Sequence, residues 1–316
     1  MDQNNNNNMD ENGNNKTSPD SSSISSNEDG KYDTTPQEKE QIERVRAKFL
    51  ERTDKKPEQF YEQDIDLVKT NEWWTLRFIK WHKGNEDKAL KQMINAFKWR
   101  KSFGLYERNV NDIPNEFAKA AAFFPYGFDR KGRPMIYIRV KVYRKIQQLN
   151  IFFQQFVVGI VNHIDALGGR KGYAFVFDVT GMGIINIDFD FLQFLVQLIQ
   201  NYYPYGLRYA ICYNVPKVVR PLWSVAKIFL GSSVRTFQFC NTREELLKFI
   251  PPQWLLRYMG GECDFDFTDF EEVRGAPSVR EVGPKYGFTP AEIEKYYKIF
   301  EGSIAEAALL SKGQPV

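Results

Sequence analysis

The 316-residue chain is poor in the residues that metal sites and many catalytic sites use. It has two histidines, His82 and His163, and three cysteines, Cys212, Cys240 and Cys263. Each histidine falls in a predicted helix, and no His, Asp or Glu cluster has metal-ligand spacing. The cysteines are too widely separated for a disulfide framework or a zinc motif. We therefore predict no metal site and no disulfide framework, burial of Cys212 and Cys240 in apolar segments, and a reducing, cytoplasmic compartment.

Signals for export, membrane spanning and nucleic-acid binding are also missing. The polar N-terminus has no apolar segment of the kind that a signal peptide needs. The uncharged run 191–207 contains glutamines, an asparagine and a proline, so we do not predict that it spans a membrane. A net charge of +3 is too small to indicate a nucleic-acid partner, but it allows a local basic face that meets an anionic membrane.

The glycine turn of GYAFVFDVTGMGIINIDFDFLQFL resembles a dinucleotide-binding loop only in part. Gly181 and Gly183 are present, but Asn186 stands where the third glycine would let the helix approach the strand. Asp188 and Asp190 would repel a pyrophosphate at the start of the following helix. The chain also has no P-loop, no G-x-S-x-G elbow and no phosphatase-type Cys-Arg loop. These absences predict no catalytic residues and no cofactor.

Asp178 ends the apolar run of the same stretch. A catalytic carboxylate needs a base or a metal nearby, and the sequence offers neither. We predict that Asp178 instead accepts main-chain hydrogen bonds and orders the turn at 180–183.

Composition and periodicity divide the chain into four parts. Residues 1–35 are rich in asparagine and serine and are predicted to be a disordered tail. Residues 36–118 are predicted to be a helical module, in which Leu90, Met93, Ile94 and Phe97 form one stripe before a stop at Gly104. Residues 119–265 are predicted to be an α/β domain, and residues 266–316 an extension with one helix.

In the α/β domain, apolar strand-like segments alternate with helical segments. The predicted strands are 134–142, 172–179, 207–215 and 235–240. This order predicts right-handed βαβ units and a largely parallel sheet.

Several stretches together resemble the CRAL-TRIO lipid-binding family, which includes the yeast phosphatidylinositol transfer proteins. The resemblance is carried, over residues 60–262, by LRFIKWHKGNEDKALKQMINAFKWRKSFG, GFDRKGRPMIYIRV, FVFDVTGMG, NYYPYGLRYAICYNVPKVVRPLWSVAKIFLG and ELLKFIPPQWLLRYMGGE. The segment from Thr180 to Pro204 is most similar to the lipid-binding domain of the motile-sperm-domain-containing proteins.

The resemblance implies an α/β fold with a mixed, largely parallel sheet, whose helices enclose a hydrophobic pocket behind a gate helix at 217–230. It implies non-catalytic binding, and transfer or sensing, of a lipid or another hydrophobic molecule. Three positions depart from the phosphatidylinositol-binding pattern, namely Tyr205, Gly206 and Thr236. Tyr173 and Phe175 stand where a phosphocholine-binding pair would fall. The resemblance therefore implies neither inositol nor choline recognition, and two alternatives stay open: a less polar ligand, or a headgroup that is recognised differently.

The ligand-binding residues are predicted from strand alternation. Because Asp178 is costly in an apolar pocket, it should take the opposite face from Tyr173, Phe175 and Phe177. The alternative is that these three rings pack under a helix. The full predicted set is Tyr173, Phe175, Phe177, Ile211, Tyr213, Leu222, Val225 and Phe229.

The gate helix is also the predicted membrane contact. Lys217, Arg220, Ser224 and Lys227 follow a spacing of three, four and three, which places them on one stripe beside a wide apolar face. The predicted contact residues are Lys217, Arg220, Trp223 and Lys227. The alternative is a helix that covers the sheet with its cations in water.

Two functions remain open at this point. One is a monomeric lipid carrier or sensor in the cytoplasm, with transient peripheral membrane association. The other is an interaction or membrane-docking module that keeps the fold without transferring a ligand.

Overall fold

The computed structural model describes six stretches of the chain. They are 33–107, 112–217, 223–230, 236–263, 265–268 and 275–314. Most of the tail that we predict to be disordered, residues 1–32, lies outside the described residues.

Helices make up the first described part, as predicted. They are α1 (Pro36–Lys55), α2 (Glu62–Thr70), α3 (Trp73–Trp81), α4 (Glu86–Phe103) and the short α5 (Glu116–Lys119). Thr35 and Glu38 form a capping box at the start of α1. Helix α4 ends where Gly104 takes the left-handed conformation, with φ of 71°. On the predicted stripe of α4, Met93 and Phe97 are fully buried.

In the described part of the chain, five strands form one sheet in sequence order. They are β1 (Phe123–Phe128), β2 (Pro134–Arg139), β3 (Tyr173–Asp178), β4 (Leu207–Tyr213) and β5 (Phe237–Cys240). Strands β2 to β5 are parallel, and β1 pairs antiparallel with β2 at the edge. The largely parallel sheet is confirmed.

The sequence did not predict β1. Its residues FFPYGF include Pro125 and Gly127, which both lower strand propensity. An edge strand tolerates such residues, and the pairing with β2 shifts register between Pro125 and Phe128. Strand β2 is also shorter than predicted, because Val140–Val142 form a 3₁₀ turn.

Helices connect the parallel strands and cover the sheet. The connecting helices are α6 (Asn150–Gly168), α7 (Phe189–Gln197) and α8 (Trp223–Leu230), and after β5 come α9 (Arg243–Leu246), α10 (Val279–Val282) and α11 (Pro290–Ser311). One face of the sheet shares a core with α6 and the N-terminal helices. The other face packs on the segment 246–267. The α/β domain therefore has helices or loops on both faces.

Helix α6 is the core helix of this arrangement. Among the described residues, the helical segment 147–171 alone has the length and apolar composition to cross a membrane, and half of its most apolar window is buried inside the protein. Val157, Val158 and Val161 belong to the shared core.

A buried ion pair ties the N-terminal helices to the α/β domain. The two terminal guanidinium nitrogens of Arg77 on α3 donate to the carboxylate of Asp165 on α6, at 2.6 and 2.7 Å. Nε of Arg77 donates to the carbonyl of Pro204 at 2.9 Å. A Cβ at Gly206 would meet the Asp165 carboxylate. This steric limit explains why glycine stands at 206.

Candidate ligand cavity

An apolar cavity of about 240 Å³ lies at the carboxyl ends of the parallel strands. Each strand contributes one residue to its floor, and strand pairing sets these residues side by side across the sheet. The row is Phe123, Ile138, Phe177, Cys212 and Phe239. Ligands of open α/β sheets bind at the carboxyl ends of the strands. The position of the cavity therefore marks it as the candidate site.

Helices α7 and α8 and the segment between β3 and α7 form most of the remaining wall, to which Tyr143 and Phe153 of α6 also contribute. Helix α7 contributes Phe191, Leu192 and Leu195, α8 contributes Trp223 and Leu230, and the segment before α7 contributes Met182 and Ile187. The ring of Trp223 packs against those of Phe237 and Phe239, with centroid distances of 5.3 and 5.0 Å. Helix α8 thus closes the cavity over β5.

Tyr143 and Asp188 form a hydrogen-bonded pair in the wall. The Tyr143 hydroxyl donates to Oδ2 of Asp188 at 2.6 Å. Oδ1 of Asp188 accepts the main-chain N–H groups of Asp190 and Phe191 at the start of α7. Burial raises the pKa of Asp188, but the hydrogen bonds from Tyr143 and α7 outweigh it, so the pKa lies below its ordinary 3.8. Burial is the largest cause that raises the pKa of Tyr143, and the hydrogen bond to Asp188 is the second. The hydroxyl of Tyr143 therefore stays protonated and acts as a donor.

The other long polar side chains in the described wall also bond to protein groups. Asn186 donates to the carbonyls of Lys141 and Tyr143 at 2.8 and 2.9 Å. Its Oδ1 accepts the N–H of Gly183. Arg139 donates to Oε1 of Glu306 at 2.7 Å. These groups are therefore already satisfied without a ligand.

Asp178 lies on the opposite face from Phe177 and orders the turn after β3, as predicted. Its Oδ1 accepts the N–H of Thr180 at 3.0 Å. Its Oδ2 accepts the hydroxyl of Tyr258 at 3.0 Å. Gly181 has a φ of 66°, which suits glycine in this turn.

Of the predicted ligand residues on β3, the structure places only Phe177 at the cavity. Tyr173, Phe175 and Phe177 share one face, but Tyr173 and Phe175 are buried in the core that α6 and the N-terminal helices cover. The cavity lies at the carboxyl end of the strand, so the first residues of β3 face packed helices. For Tyr173 and Phe175, the structure favours the alternative of packing under a helix.

On β4 the structure places the predicted residues on the other face. Phe177 pairs with Cys212, whereas Val176 pairs with Ile211 and Asp178 pairs with Tyr213. Ile211 and Tyr213 accordingly belong to the core on the face away from the cavity, and the expectation that they face the ligand is corrected to Cys212. Burial raises the pKa of Cys212 to about 12. All three cysteines are free and buried, and the burial of Cys212 and Cys240 was predicted.

The predicted gate is described in part. Lys217 and Lys227 are exposed, and Trp223 is half-buried in the cavity wall rather than free on the surface. Arg220 and Leu222 lie outside the described residues, and so do the side chains of Val225 and Phe229 within α8.

Sequence reasoning missed much of the cavity wall, including Phe123 on β1, Tyr143, and Phe191 and Leu195 on α7. The heptapeptide FDFLQFL, residues 189–195, carried a usable signal, because its apolar residues recur at helical spacing beside the glycine turn. Tyr143 had no comparable signal, since its place depends on the 3₁₀ turn after β2.

Comparison with known proteins agrees with this fold. The CRAL/TRIO domain family matches residues 119–261. The phosphatidylinositol transfer protein CSR1 of Eremothecium gossypii is 23% identical over 222 residues, which cover 65% of this chain and 50% of that relative. A CRAL-TRIO domain-containing protein of Schizosaccharomyces pombe is 26% identical over 256 residues, which cover 75% of this chain and 69% of that relative.

A solved structure shows the same fold. The crystal structure of Sfh5 matches with a TM-score of 0.55 and 15% identity, covering 87% of this chain and 99% of Sfh5. The chain thus aligns with half the length of the Eremothecium relative and with nearly all of Sfh5. Residues 119–261, which contain the described sheet and the described residues that line the cavity, match the CRAL/TRIO domain family.

Proposed function

We propose that this protein binds a lipid or another hydrophobic molecule in the cavity and transfers it between membranes without catalysing a reaction on it. The observation that carries the proposal is the apolar wall at the carboxyl ends of the strands. When an apolar ligand fills this space, apolar surface of the ligand and of the cavity wall is removed from water. Each Å² of this surface contributes roughly 25 cal/mol to the binding free energy. The similarity of the segment from Thr180 to Pro204 to the lipid-binding domain of the motile-sperm-domain-containing proteins remains a prediction.

The hydrogen bonds of the wall limit what the cavity recognises. Arg139 is paired with Glu306, and Asp188 is bonded to Tyr143 and to α7. In the described wall, neither charge is free to bind a phosphate or an ammonium group. We therefore propose that the buried part of the ligand is apolar, even though the name of the Eremothecium relative specifies phosphatidylinositol.

The size of the cavity favours a wall that moves. Its volume of about 240 Å³ exceeds the roughly 150 Å³ of a cavity that holds benzene, but it is below the range of about 300–1,000 Å³ that is usual for drug-sized ligands. We propose that an outward movement of the segment that includes α8 enlarges the cavity for a lipid chain. This supports the proposal that residues 217–230 act as the gate.

The same segment, residues 217–230, supports a peripheral membrane role in the cytoplasm. Lys217 and Lys227 are exposed, and neither has an acidic partner among the residues that the structure describes. Basic residues close to an anionic bilayer each contribute about 1 kcal/mol to binding.

A vesicle-to-vesicle transfer assay tests the proposal. Donor vesicles carry a labelled sterol, fatty acid, phosphatidylcholine or phosphatidylinositol, and transfer is compared for wild type, Cys212→Trp and Cys212→Ser. The tryptophan fills the cavity and should abolish transfer, whereas serine keeps its volume and should preserve it. Vesicle binding without movement of any lipid would instead support a docking module.

A further inference from the structure

The most exposed large apolar side chains in the described part of the chain lie in two segments. Ile184 and Ile185, in the 3₁₀ turn before α7, are 73% and 72% exposed, and Ile228 on α8 is 78% exposed. A single exposed isoleucine needs no explanation. Two adjacent exposed isoleucines at the tip of a turn are unusual, because their apolar surface stays in contact with water and adds nothing to the core.

Both segments also form walls of the cavity. Met182 and Ile187, on either side of the two isoleucines, line it, and Trp223 and Leu230 of α8 line it as well. The exposed isoleucines therefore belong to wall segments of the cavity and not to a remote surface.

Two rings mark where the cavity meets solvent. Phe189 and Phe239 line the cavity, and yet they are 37% and 48% exposed. Phe189 begins α7, directly after the isoleucine turn, and Phe239 packs against Trp223 of α8. The opening thus adjoins both segments that carry exposed isoleucines.

The isoleucine turn is held firmly. Asn186 donates to two carbonyls of the segment after β2 and accepts the N–H of Gly183. The main-chain N–H of Ile187 donates to the carbonyl of Ile184. A fixed turn loses little conformational entropy when its tip is buried by a partner.

Exposed cations occur in or next to the chain segments that form the wall of the cavity. Arg144, Lys217 and Lys227 are exposed and have no acidic partner among the described residues. Asp188 and Asp190 share one cation, Lys145, at 3.3 and 2.6 Å, which leaves one negative charge against these three cations. The excess charge beside the exposed apolar residues is therefore positive.

We propose that the Ile184–Ile185 turn inserts into an anionic bilayer as a second membrane contact, on the other side of the opening from α8. The proposal rests on the proposed function, since a lipid that enters this cavity has to cross from the bilayer at the opening. Apolar side chains enter the interface while cations beside them meet the headgroups.

Flotation with phosphatidylcholine vesicles that contain phosphatidylserine tests the proposal. The double variant Ile184→Ser/Ile185→Ser should bind more than about tenfold more weakly than wild type, because each isoleucine loses most of its apolar transfer energy. The control is Leu167→Ser, on an exposed leucine of α6 that does not line the cavity, and it should bind as wild type does. Equal binding of the double variant and wild type would overturn the proposal and would indicate a protein partner for the turn.

A second variant measures insertion directly. Tryptophan fluorescence of Ile184→Trp should be quenched more strongly than that of wild type by lipids brominated on their acyl chains, since the six native tryptophans are common to both; equal quenching of the two would overturn the proposal. Lipid retention by the double variant separates the two proposals. If the double variant keeps its lipid but no longer binds vesicles, the turn is supported as a membrane contact. If wild type retains no lipid but still needs Ile184 and Ile185 to bind vesicles, only the proposed function is contradicted.

Discussion

The side-chain amide of Gln200 donates a 3.3 Å hydrogen bond to the main-chain carbonyl of Leu230, the last residue of α8. Gln200 lies in a π-helical turn, Leu198–Tyr202, that follows α7. Helix α4 holds this turn, because Gln92 donates to the carbonyls of Gln200 and Asn201 at 2.8 and 3.1 Å. The N-terminal helices are therefore connected to the end of the proposed gate through two glutamines.

Replacing Gln200 with leucine should accelerate lipid exchange. The change removes the hydrogen bond to Leu230, which contributes about 1 kcal/mol to the closed position of α8. The measurement is the rate of labelled lipid release into acceptor vesicles. Gln197→Leu, at an exposed glutamine that ends α7, is the matched control and should leave the rate unchanged. Equal rates in both variants would show that this bond does not hold the gate.

Replacing Asp188 with asparagine should destabilise the protein in a pH-dependent way. The pKa of Asp188 in the folded protein is below 3.8, so its charged form adds stability above that pH and loses it as the pH falls through the folded pKa. The difference in free energy of unfolding between wild type and Asp188→Asn should be constant at neutral pH and shrink below pH 3.8. Asparagine is also a good helix N-cap, so the substitution keeps the capping hydrogen bonds and removes the charge. The difference in free energy of unfolding therefore reports the effect of the charge. A difference that persists or grows in acid is incompatible with this role.

Replacing Lys217, Arg220 and Lys227 with glutamine should weaken binding to anionic vesicles by roughly 3 kcal/mol at low salt. Lys217 and Lys227 are exposed, so the melting temperature should stay unchanged. Arg220 lies outside the described residues and is included because of its helical spacing. Vesicle binding that is insensitive to the three substitutions and to salt would mean that these cations are only solvated.

Replacing Asp165 with asparagine should be among the most damaging polar substitutions. It leaves the guanidinium of Arg77 buried without its counter-charge, which typically costs about 3–5 kcal/mol. Urea unfolding measures the loss. Asp190→Asn is the matched control, since Asp190 is exposed in its pair with Lys145 and should contribute about 1 kcal/mol or less. Similar losses in both variants would argue against a structural role for the Arg77–Asp165 pair.

The sequence predicted the parallel sheet because alternation of strands and helices leaves few other arrangements. The role of Asp178 was also predictable, since a carboxylate that ends a buried strand beside a glycine turn has main-chain donors within reach. The edge strand β1 was not predictable, because its proline and glycine are unfavourable in strands away from an edge.

The cavity floor was harder to predict because it depends on strand register. A shift of one residue exchanges the two faces of a strand, and the choice of Ile211 and Tyr213 instead of Cys212 reflects such a shift. The depth of the cavity along β3 depends on where α6 and the N-terminal helices cover the sheet. That coverage separates Phe177 from Phe175, although both share one face.

Native mass spectrometry of the protein, purified with mild extraction, tests most directly whether the cavity holds a hydrophobic ligand. Wild type and Cys212→Ser should carry an added mass that organic extraction releases as an apolar compound. Cys212→Trp, folded by its melting temperature, should carry none. A wild type free of added mass after exposure to cellular lipids, or a Cys212→Trp variant that retains the same ligand, would contradict binding in this cavity.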